Sequence, residues 1–142
     1  MLETGRNSNA AMAVGVAQAC LDDSLRYARA RQQLGQPIFN FQAVQFKLAV
    51  LAVAIELART QYLKAAWLKD QGRPHTFETS AAKLYASEMV EKVASDAVQI
   101  HGGYGYMEEY PVSRYYKSVK LLQIVEGTSE VQRMLIARTL KK

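Results

Sequence analysis

The chain has 142 residues, 49% of them apolar and 22% charged, which is the balance of an ordinary globular domain with one sizeable core. The net charge of +5 arises entirely from residue 111 onward, but no basic stripe with interleaved stacking aromatics occurs there, which argues against nucleic-acid binding. No apolar run reaches the roughly 18 residues of a membrane span, the first residues do not resemble a secretory signal, and the single cysteine, Cys20, favours a reducing compartment.

Three long segments, rich in helix-favouring residues, are separated by connections at 35–37, 71–75 and 101–106 that contain glycine or proline. In each segment apolar residues recur at spacings of three and four, which predicts a helix of about 25 to 30 residues with one buried face. The three predicted faces comprise Val14, Ala17, Leu21, Leu25 and Ala28, then Val44, Leu48, Leu51, Ile55, Ala58, Tyr62 and Ala65, then Ala82, Ala86, Met89, Val93, Ala97 and Ile100. The charged residues off the third stripe are expected in solvent, namely Lys83, Glu88, Glu91, Lys92 and Asp96.

The last segment is interrupted at 126–128 and continues with Ser129, the expected N-cap of a final helix, followed three residues later by Gln132 as in a capping box. No segment has the pattern of a strand. We therefore expect an all-α fold, an up-down helical bundle of four main helices plus a short extra helix. Apolar residues also occur on the polar faces of the helices, which suggests an oligomer or a neighbouring domain.

The sequence supports neither a metal-binding site nor a nucleophilic serine or threonine. His75 and His101 are far apart and have no second ligand one helical turn away, so no metal site is expected. No serine or threonine lies in a strand–turn–helix nucleophile elbow. Two other segments are candidates for chemistry.

The first candidate is the glycine-rich segment 98–106, which is typical of a helix end and a tight turn and which also allows the backbone to approach a flat or anionic ligand closely. The second is Glu126, which follows Ile124 and Val125 and precedes a glycine. Taken alone, such a glutamate is more often a surface residue near a cap. A carboxylate between apolar neighbours is also a candidate general base.

Together these segments resemble the acyl-CoA dehydrogenase family over essentially the whole chain. The matching motifs occur in family order: RARQQLG at 29–35, Pro37, FQAVQFKLA at 41–49, AAW at 65–67, AKLYA at 82–86, DAVQIHGGYG at 96–105, EYP at 109–111, RY at 114–115 and IVEGTSEVQR at 124–133. The resemblance implies that residues 1–142 form the C-terminal helical domain, without the helical and β domains that precede it in the family.

The resemblance also implies the reaction. Members use FAD to oxidise an acyl-CoA thioester to the trans-2-enoyl-CoA, and electrons then pass to an electron-transferring flavoprotein. Glu126 matches the base that removes the α-proton while the β-hydrogen leaves as hydride to flavin N5. The same residue's backbone amide is expected to bind the thioester oxygen, and Gly127 to leave room for the substrate.

Further site residues follow from the matching motifs. Arg31, accompanied by Gln33 and Leu34, resembles the arginine that reaches the flavin pyrophosphate of a neighbouring subunit. The other residues expected at the cofactor are Gln42, Gln99, Ile100, His101, Gly102, Gly103, Thr128 and Glu130. Glu3 and Arg6 match a first-helix pair near the CoA and the acyl chain. Some relatives carry the base one residue before that arginine, where this chain has Gly5, so the role falls to Glu126.

One departure and several alternatives accompany the resemblance. Leu34 stands where many members have phenylalanine. The alternatives are a helical oligomerisation module that is catalytically silent when isolated, and an acyl-CoA oxidase-like relative. We expect a homodimer or homotetramer in the cytoplasm, or in the mitochondrial matrix of a eukaryote.

Overall fold

The structure, a computed structural model, describes residues 2–141 and is almost entirely helical. Helix α1 spans Leu2–Ala30, α2 spans Gln42–Asp70, and α3 spans Thr76–His101. Three shorter helices follow: α4 at Pro111–Val119, α5 at Leu121–Ile124 and α6 at Ser129–Thr139. Single 3-10 segments occupy Ile38–Asn40 and Gly102–Tyr106. The predicted all-α bundle is confirmed, with α1, α2, α3 and α6 as its main helices.

Polar contacts between the long helices define their directions. Lys69 at the end of α2 donates to Thr4 at the start of α1, over 2.9 Å. Near its beginning, α2 contacts the far half of α3, where Lys47 Nζ lies 2.7 Å from the carboxylate of Asp96. Helix α2 is therefore antiparallel to both neighbours, and α1 and α3 run in the same direction.

The core lies between α1, α2 and α3, and the predicted apolar stripes form it. All six predicted residues of α3 are buried, as are five of the seven on α2 and four of the five on α1, the remaining Leu25, Val44 and Tyr62 being partly buried against the same cluster. Helices α1 and α3 pack together, and each carries alanines without exposed surface, for example Ala13 and Ala17 on α1 and Ala86 and Ala94 on α3. Small side chains let these two helix axes approach closely, which places the ends of α1 and α3 side by side.

Cys20 belongs to this core. It has no exposed surface, and burial raises the pKa of its thiol to about 12. Thiolate is the reactive form of cysteine, so this residue acts as a small apolar side chain.

Helices α4 to α6 return along α3. Helix α4 follows the end of α3 and packs against α1 and α3. Helix α6 then runs antiparallel to α3, and Arg133 of α6 forms an ion pair with Glu88 of α3 at 2.5 Å. Among residues 2–141, no helix has the length and apolar character needed to cross a membrane.

Two expectations about the long helices and their connections were wrong. The sequence predicted no strand, but Gln32–Gln33 and Gln36–Pro37 form a two-residue antiparallel hairpin. Its turn residues, Leu34 and Gly35, have φ of 51° and 78°, and two successive positive φ values suit a two-residue hairpin loop. The pair is too short to leave a periodic pattern.

The second error concerns Lys83, which was expected in solvent and has no exposed surface. Helix α3 is contacted by α1, α2, α4 and α6, so its buried surface is wider than its apolar stripe. Burial lowers the pKa of Lys83, and the nearby carboxylates of Glu130 and Glu88 oppose that shift. The ammonium group donates to the carbonyl oxygen of Gln123 over 3.2 Å.

Candidate active site

The chain turns between α5 and α6 at Glu126 and Gly127, and both residues have positive φ, 58° and 88°. For a residue with a side chain this conformation costs roughly 1–2 kcal/mol, so neighbouring groups must stabilise it at Glu126. Glycine suits the second position for two reasons: its φ is unfavourable for other residues, and a Cβ there would lie 2.8 Å from Nε2 of Gln132.

Gln132 holds this turn from α6. Its side chain has no exposed surface, and Nε2 donates to the carbonyl oxygens of Glu126 at 3.2 Å and Gly127 at 2.9 Å. Both peptide carbonyls that follow the strained residues are thus bound by one buried amide.

The Glu126 carboxylate lies directly against the backbone of α1 at Gly5. A Cβ added to Gly5 would be 2.6 Å from Cδ and 3.0 Å from Oε1 of Glu126, and closer still to Oε2. The side chain of Glu126 is otherwise exposed on this chain. The carboxylate therefore has one face against α1 and another open to a ligand or a neighbouring domain.

Cationic groups lie beneath the turn. Arg6 is 9% exposed, and its Nε has no hydrogen-bond partner within residues 2–141. Lys83 and Glu126 are close enough for the carboxylate to raise the pKa of the lysine, and Arg6 acts on Lys83 in the opposite sense. The surroundings of Glu126 thus combine two buried positive charges with acidic neighbours.

Thr128 and Glu130 lie at the start of α6, close to Glu126 in sequence. The predicted N-cap was wrong by one residue: Thr128 occupies it, and its Oγ1 accepts from the amide of Val131 at 3.4 Å. Gln132 consequently sits one residue beyond the capping-box position and is free to bind the turn. The Glu130 backbone amide and the Thr128 hydroxyl hold the pKa of the Glu130 carboxyl below its usual value.

A second site lies at the other end of α1 and α3, where a cleft of about 390 Å³ opens. Its volume falls in the range of small-molecule sites. Seven of the predicted cofactor residues line it, together with four residues that the sequence did not indicate. The predicted ones are Arg31, Gln33, Gln99, Ile100, His101, Gly102 and Gly103, and the others are Tyr27, Ile38, Tyr104 and Met107.

Aromatic rings form one wall of this cleft. His101 stacks on Tyr27 with ring centroids 4.3 Å apart, and the Arg31 guanidinium lies 5.4 Å from the centroid of Tyr104. The Nδ1 of His101 is 2.8 Å from the carbonyl oxygen of Ala97, and because a carbonyl only accepts, Nδ1 carries the proton. Burial lowers the pKa of His101, although this hydrogen bond opposes the shift, so the ring is neutral near pH 7.

This composition fits half of a dinucleotide. Planar side chains can pack against a heteroaromatic base, and a guanidinium binds phosphate oxygens in a bidentate manner. Gly102 and Gly103 add exposed backbone at the edge of the cleft. The residues present therefore suit an adenosine diphosphate group, while their cofactor role stays a prediction.

Leu34 and Gln42 lie at the same end of the bundle but outside the cleft lining. Leu34 is at the hairpin tip with 89% of its surface exposed, and Gln42 is the exposed first residue of α2. Both side chains are exposed and take no part in the core of the chain.

The two candidate regions are well separated within one chain. Glu126 contacts α1 at Gly5, whereas the cleft contacts α1 at Tyr27. Twenty-two residues of α helix at 1.5 Å per residue place these regions about 33 Å apart. The structure therefore does not bring Glu126 together with the 101–105 turn in a single chain.

Glu3 and Arg6, the two residues predicted to lie near the substrate, have different neighbours in the structure. Arg6 follows Gly5, the residue that the Glu126 carboxylate contacts. Glu3 accepts a hydrogen bond from the Thr76 hydroxyl at 2.6 Å and lies 3.3 Å from Nε2 of His75, which ties the starts of α1 and α3 together. No three His, Cys, Asp or Glu side chains within the described residues form a metal-binding group.

Gln132 and Lys83 are the important neighbours that the sequence did not indicate. Gln132 was assigned to a cap because its spacing from Ser129 matched a capping box, and Lys83 was assigned to solvent because of its charge. One sequence feature could have indicated the role of Gln132: it lies six residues after Glu126, near enough for its side chain to reach the break that precedes the last helix. No sequence signal predicted burial of Lys83.

Comparison with known proteins gives a consistent result. Residues 1–141 match the family model described as acyl-CoA dehydrogenase, C-terminal domain. The chain is 60% identical over 141 residues to the probable acyl-CoA dehydrogenase YngJ of Bacillus subtilis, covering 99% of the chain and 37% of that protein. It is 45% identical, with the same two coverages, to the caffeyl-CoA reductase-Etf complex subunit CarC of Acetobacterium woodii.

Solved structures agree with the family match. Butyryl-CoA dehydrogenase from Megasphaera elsdenii superposes with a TM-score of 0.98 at 45% identity, covering 99% of this chain and 37% of that one. A structure described as PigA with FAD and proline gives a TM-score of 0.95 at 30% identity, again over 99% of this chain and 37% of the other. The chain thus spans a little over a third of the relatives that it matches.

The contact between Gly5 and the Glu126 carboxylate yields a prediction about two glycines of α1. At Gly15 a Cβ would meet nothing within 4 Å, so Gly15→Ala should raise the free energy of unfolding by about 0.5–1 kcal/mol. At Gly5 the new methyl group must displace the carboxylate, so Gly5→Ala should gain less. Urea unfolding of both variants tests the difference, and a crystal structure of Gly5→Ala should show Glu126 in another rotamer. Equal gains with an unmoved carboxylate would contradict the contact.

Proposed function

The chain belongs to the acyl-CoA dehydrogenase family, and from that premise we propose that it is the C-terminal domain of an enzyme that oxidises an acyl-CoA thioester to the trans-2-enoyl-CoA. In this reaction the α-C–H bond breaks with transfer of a proton, and the β-hydrogen leaves with its electron pair. When bound, FAD supplies the acceptor for that hydride at N5.

Glu126 is the proposed base, and the observation that carries the proposal is its strained, supported position above Gly5. Residues held in a sparsely populated conformation by their surroundings occur preferentially at active sites. The carboxylate takes the α-proton and becomes a carboxylic acid. Its exposed face is the one available to the α-carbon, since Gly5 occupies the other.

The backbone of the same turn has a second proposed task. A carboxylate in water is too weak a base for an ordinary carbon acid, so negative charge developing on the thioester oxygen must be stabilised. The Glu126 N–H precedes the strained Cα, and its direction is set by the turn. We propose that it donates to the thioester oxygen, while Gly127 leaves space for the acyl group and Arg6 and Glu3 lie toward the CoA.

Thr128 and Glu130 are proposed to face the cofactor beside the base. The remaining cofactor contacts come from the cleft, where the Arg31 guanidinium would bind pyrophosphate and Gln99 to Gly103 would flank the adenosine. Gln33, Leu34 and Gln42 extend this surface at the same end of the bundle.

A complete site requires two copies of the chain under this proposal. Glu126 and the cleft are about 33 Å apart along α1, so one chain supplies the base while another supplies the Arg31 cleft to the same cofactor. This arrangement predicts a homodimer or homotetramer. It also explains why an isolated domain could remain silent until it assembles.

Helix α2 carries a surface suited to that assembly. Its outer face presents apolar side chains that are each more than half exposed, namely Phe46, Val50, Val53, Leu57, Leu63 and Trp67. The opposite face of α2 is buried in the core. Because a helix that is apolar on both faces is normally covered on both, we propose that a second copy packs on this outer face.

The proposed electron acceptor is an electron-transferring flavoprotein. This proposal is supported by the similarity to CarC, which is named as a subunit of a complex with such a protein. An acyl-CoA oxidase-like reaction would use the same base and differ only after hydride transfer.

Replacement of Glu126 by Gln tests the base directly. In the intact enzyme that contains this domain, Glu126→Gln should lower the rate of flavin reduction by an acyl-CoA at least about 10³-fold, within the range of general-base contributions. Flavin content should stay normal because glutamine keeps the size and shape of the glutamate side chain. Glu56→Gln, an exposed carboxylate on α2, serves as the charge control. Near-normal reduction by Glu126→Gln would rule out the assignment.

Assembly through α2 is tested with one charged substitution. Val53→Lys places an ammonium group in the centre of the outer apolar face and should lower the mass measured by light scattering toward that of a single chain. Ser95→Lys adds the same charge at an exposed position of α3, away from the outer face of α2, and should leave the mass unchanged. A wild-type chain that is strictly monomeric at micromolar concentration would contradict the proposed interface.

A further inference from the structure

We propose that Gln132 is a positioning residue that fixes the Glu126–Gly127 turn and thereby aims both the base and the Glu126 amide. The inference rests on the proposed function of Glu126 and adds a residue that acts through it. Gln132 lies on α6, its side chain is fully buried, and it reaches back to the turn that precedes its own helix.

The orientation of the Gln132 amide follows from its partners. The two atoms that face it from the turn are the carbonyl oxygens of Glu126 and Gly127, at 3.2 Å and 2.9 Å. Carbonyl oxygens only accept hydrogen bonds, so the NH₂ group must face them, and its two hydrogens match the two acceptors. No other side chain of comparable size offers two donors from one neutral atom at this position.

Gln132 and Gly127 also constrain each other by packing. Nε2 of Gln132 would be 2.8 Å from a Cβ at Gly127, so the amide occupies the space that any side chain at 127 would need. Gly127 is the residue of the turn that the Gln132 amide approaches, and Glu126, with its positive φ, is the residue that carries the proposed base. Gln132 thus sets the shape of the turn by contact as well as by hydrogen bonding.

Loss of these hydrogen bonds has a direct consequence at Glu126. Without them, the carbonyl oxygens of Glu126 and Gly127 lose their donor, and Glu126 can relax from φ of 58° to the favoured negative region. That rotation turns both the Cα–Cβ bond and the N–H of Glu126. Since a misplacement of about 1 Å can cost 10²-fold in rate, both proposed functions of the residue would suffer together.

The preceding part of the connection is held independently. Lys83 on α3 donates to the carbonyl oxygen of Gln123, and the Gln123 side chain donates to the backbone carbonyl of Ser87 at 3.4 Å. These bonds fix the chain three residues before the base. They leave the torsions of Glu126 itself free, so removing the Gln132 amide should act on the turn alone.

The test is Gln132→Met in the intact enzyme, because methionine has a similar volume and no donor. Three quantities are measured: flavin content, steady-state kcat and KM for butyryl-CoA, and exchange of the α-hydrogens of acetyl-CoA with D₂O. Acetyl-CoA has α-hydrogens and no β-carbon, so its exchange reports proton removal without hydride transfer. The control is Val14→Ala, a buried core change nine residues beyond Gly5 and hence about 14 Å along α1.

We expect Gln132→Met to lower kcat and the exchange rate together by at least about tenfold, with KM within about threefold of wild type and normal flavin content. Val14→Ala should lower thermal stability while leaving kcat and exchange near wild type. If Gln132→Met does not retain flavin, Gln132→Glu, which has the same shape and loses the donors, takes its place.

Normal exchange in a flavin-containing Gln132 variant would overturn the inference. So would a loss of exchange that Val14→Ala reproduces at equal stability, because it would reflect general destabilisation. Glu126→Gln is measured in parallel to separate the two proposals. If Glu126→Gln abolishes exchange and the Gln132 variant does not, only the positioning role fails, whereas normal exchange in Glu126→Gln removes the proposed function itself.

Discussion

The candidate site depends on one unfavourable backbone conformation, the positive φ at Glu126. Left to itself, a glutamate would leave that region, and the cost of staying is of the order of a hydrogen bond. The surrounding structure opposes this tendency from two directions. The Gln132 amide binds the carbonyls on one side, and the backbone at Gly5 accommodates the carboxylate on the other. The conformation of Glu126 therefore depends jointly on Gly127 and Gln132, which are near it in sequence, and on Gly5, which is distant.

The bundle supplies the rigidity that this arrangement needs. Gly5 is held by α1 and Gln132 by α6, and both helices pack on α3. Closely packed alanines fix α1 against α3, and the Arg133–Glu88 pair and the Lys83–Gln123 bond fix the returning chain to the same helix. A shift of α6 relative to α1 would move the Gln132 amide away from Gly5, the glycine that contacts the Glu126 carboxylate. The same α1–α3 pairing builds the cleft at the other end, where Tyr27 and His101 stack.

Much of the fold was predictable because apolar spacing reports which face of a helix is buried. Residues such as Leu51, Ile55 and Val93 occupy the predicted core, and the connections were found at the predicted breakers. Lys83 was not predictable, since its burial results from the other helices that pack on α3 and not from the pattern of its own helix. The hairpin at 32–37 was missed because two residues are too few for an alternating pattern.

The sequence motifs named the residues of the candidate site but not their arrangement in space. Glu126 and the 99–103 turn followed from motifs, whereas their separation along α1 follows from helix length and direction. The one-residue error at the α6 N-cap concealed Gln132, because a capping-box reading assigns its side chain to the helix start. The positive φ of Glu126 has no signature in the sequence. It exists because the buried amide and the neighbouring helix stabilise it.

A crystal structure of the intact enzyme with bound acetyl-CoA would test the central claim most directly. It should show a Glu126 carboxylate oxygen about 3–3.5 Å from the α-carbon, the spacing of a reactive contact, with φ still positive and the Gln132 amide still on both carbonyls. The Glu126 N–H should point at the thioester oxygen. A Glu126 with negative φ, or with its carboxylate turned into solvent while the ligand is bound, would contradict the account.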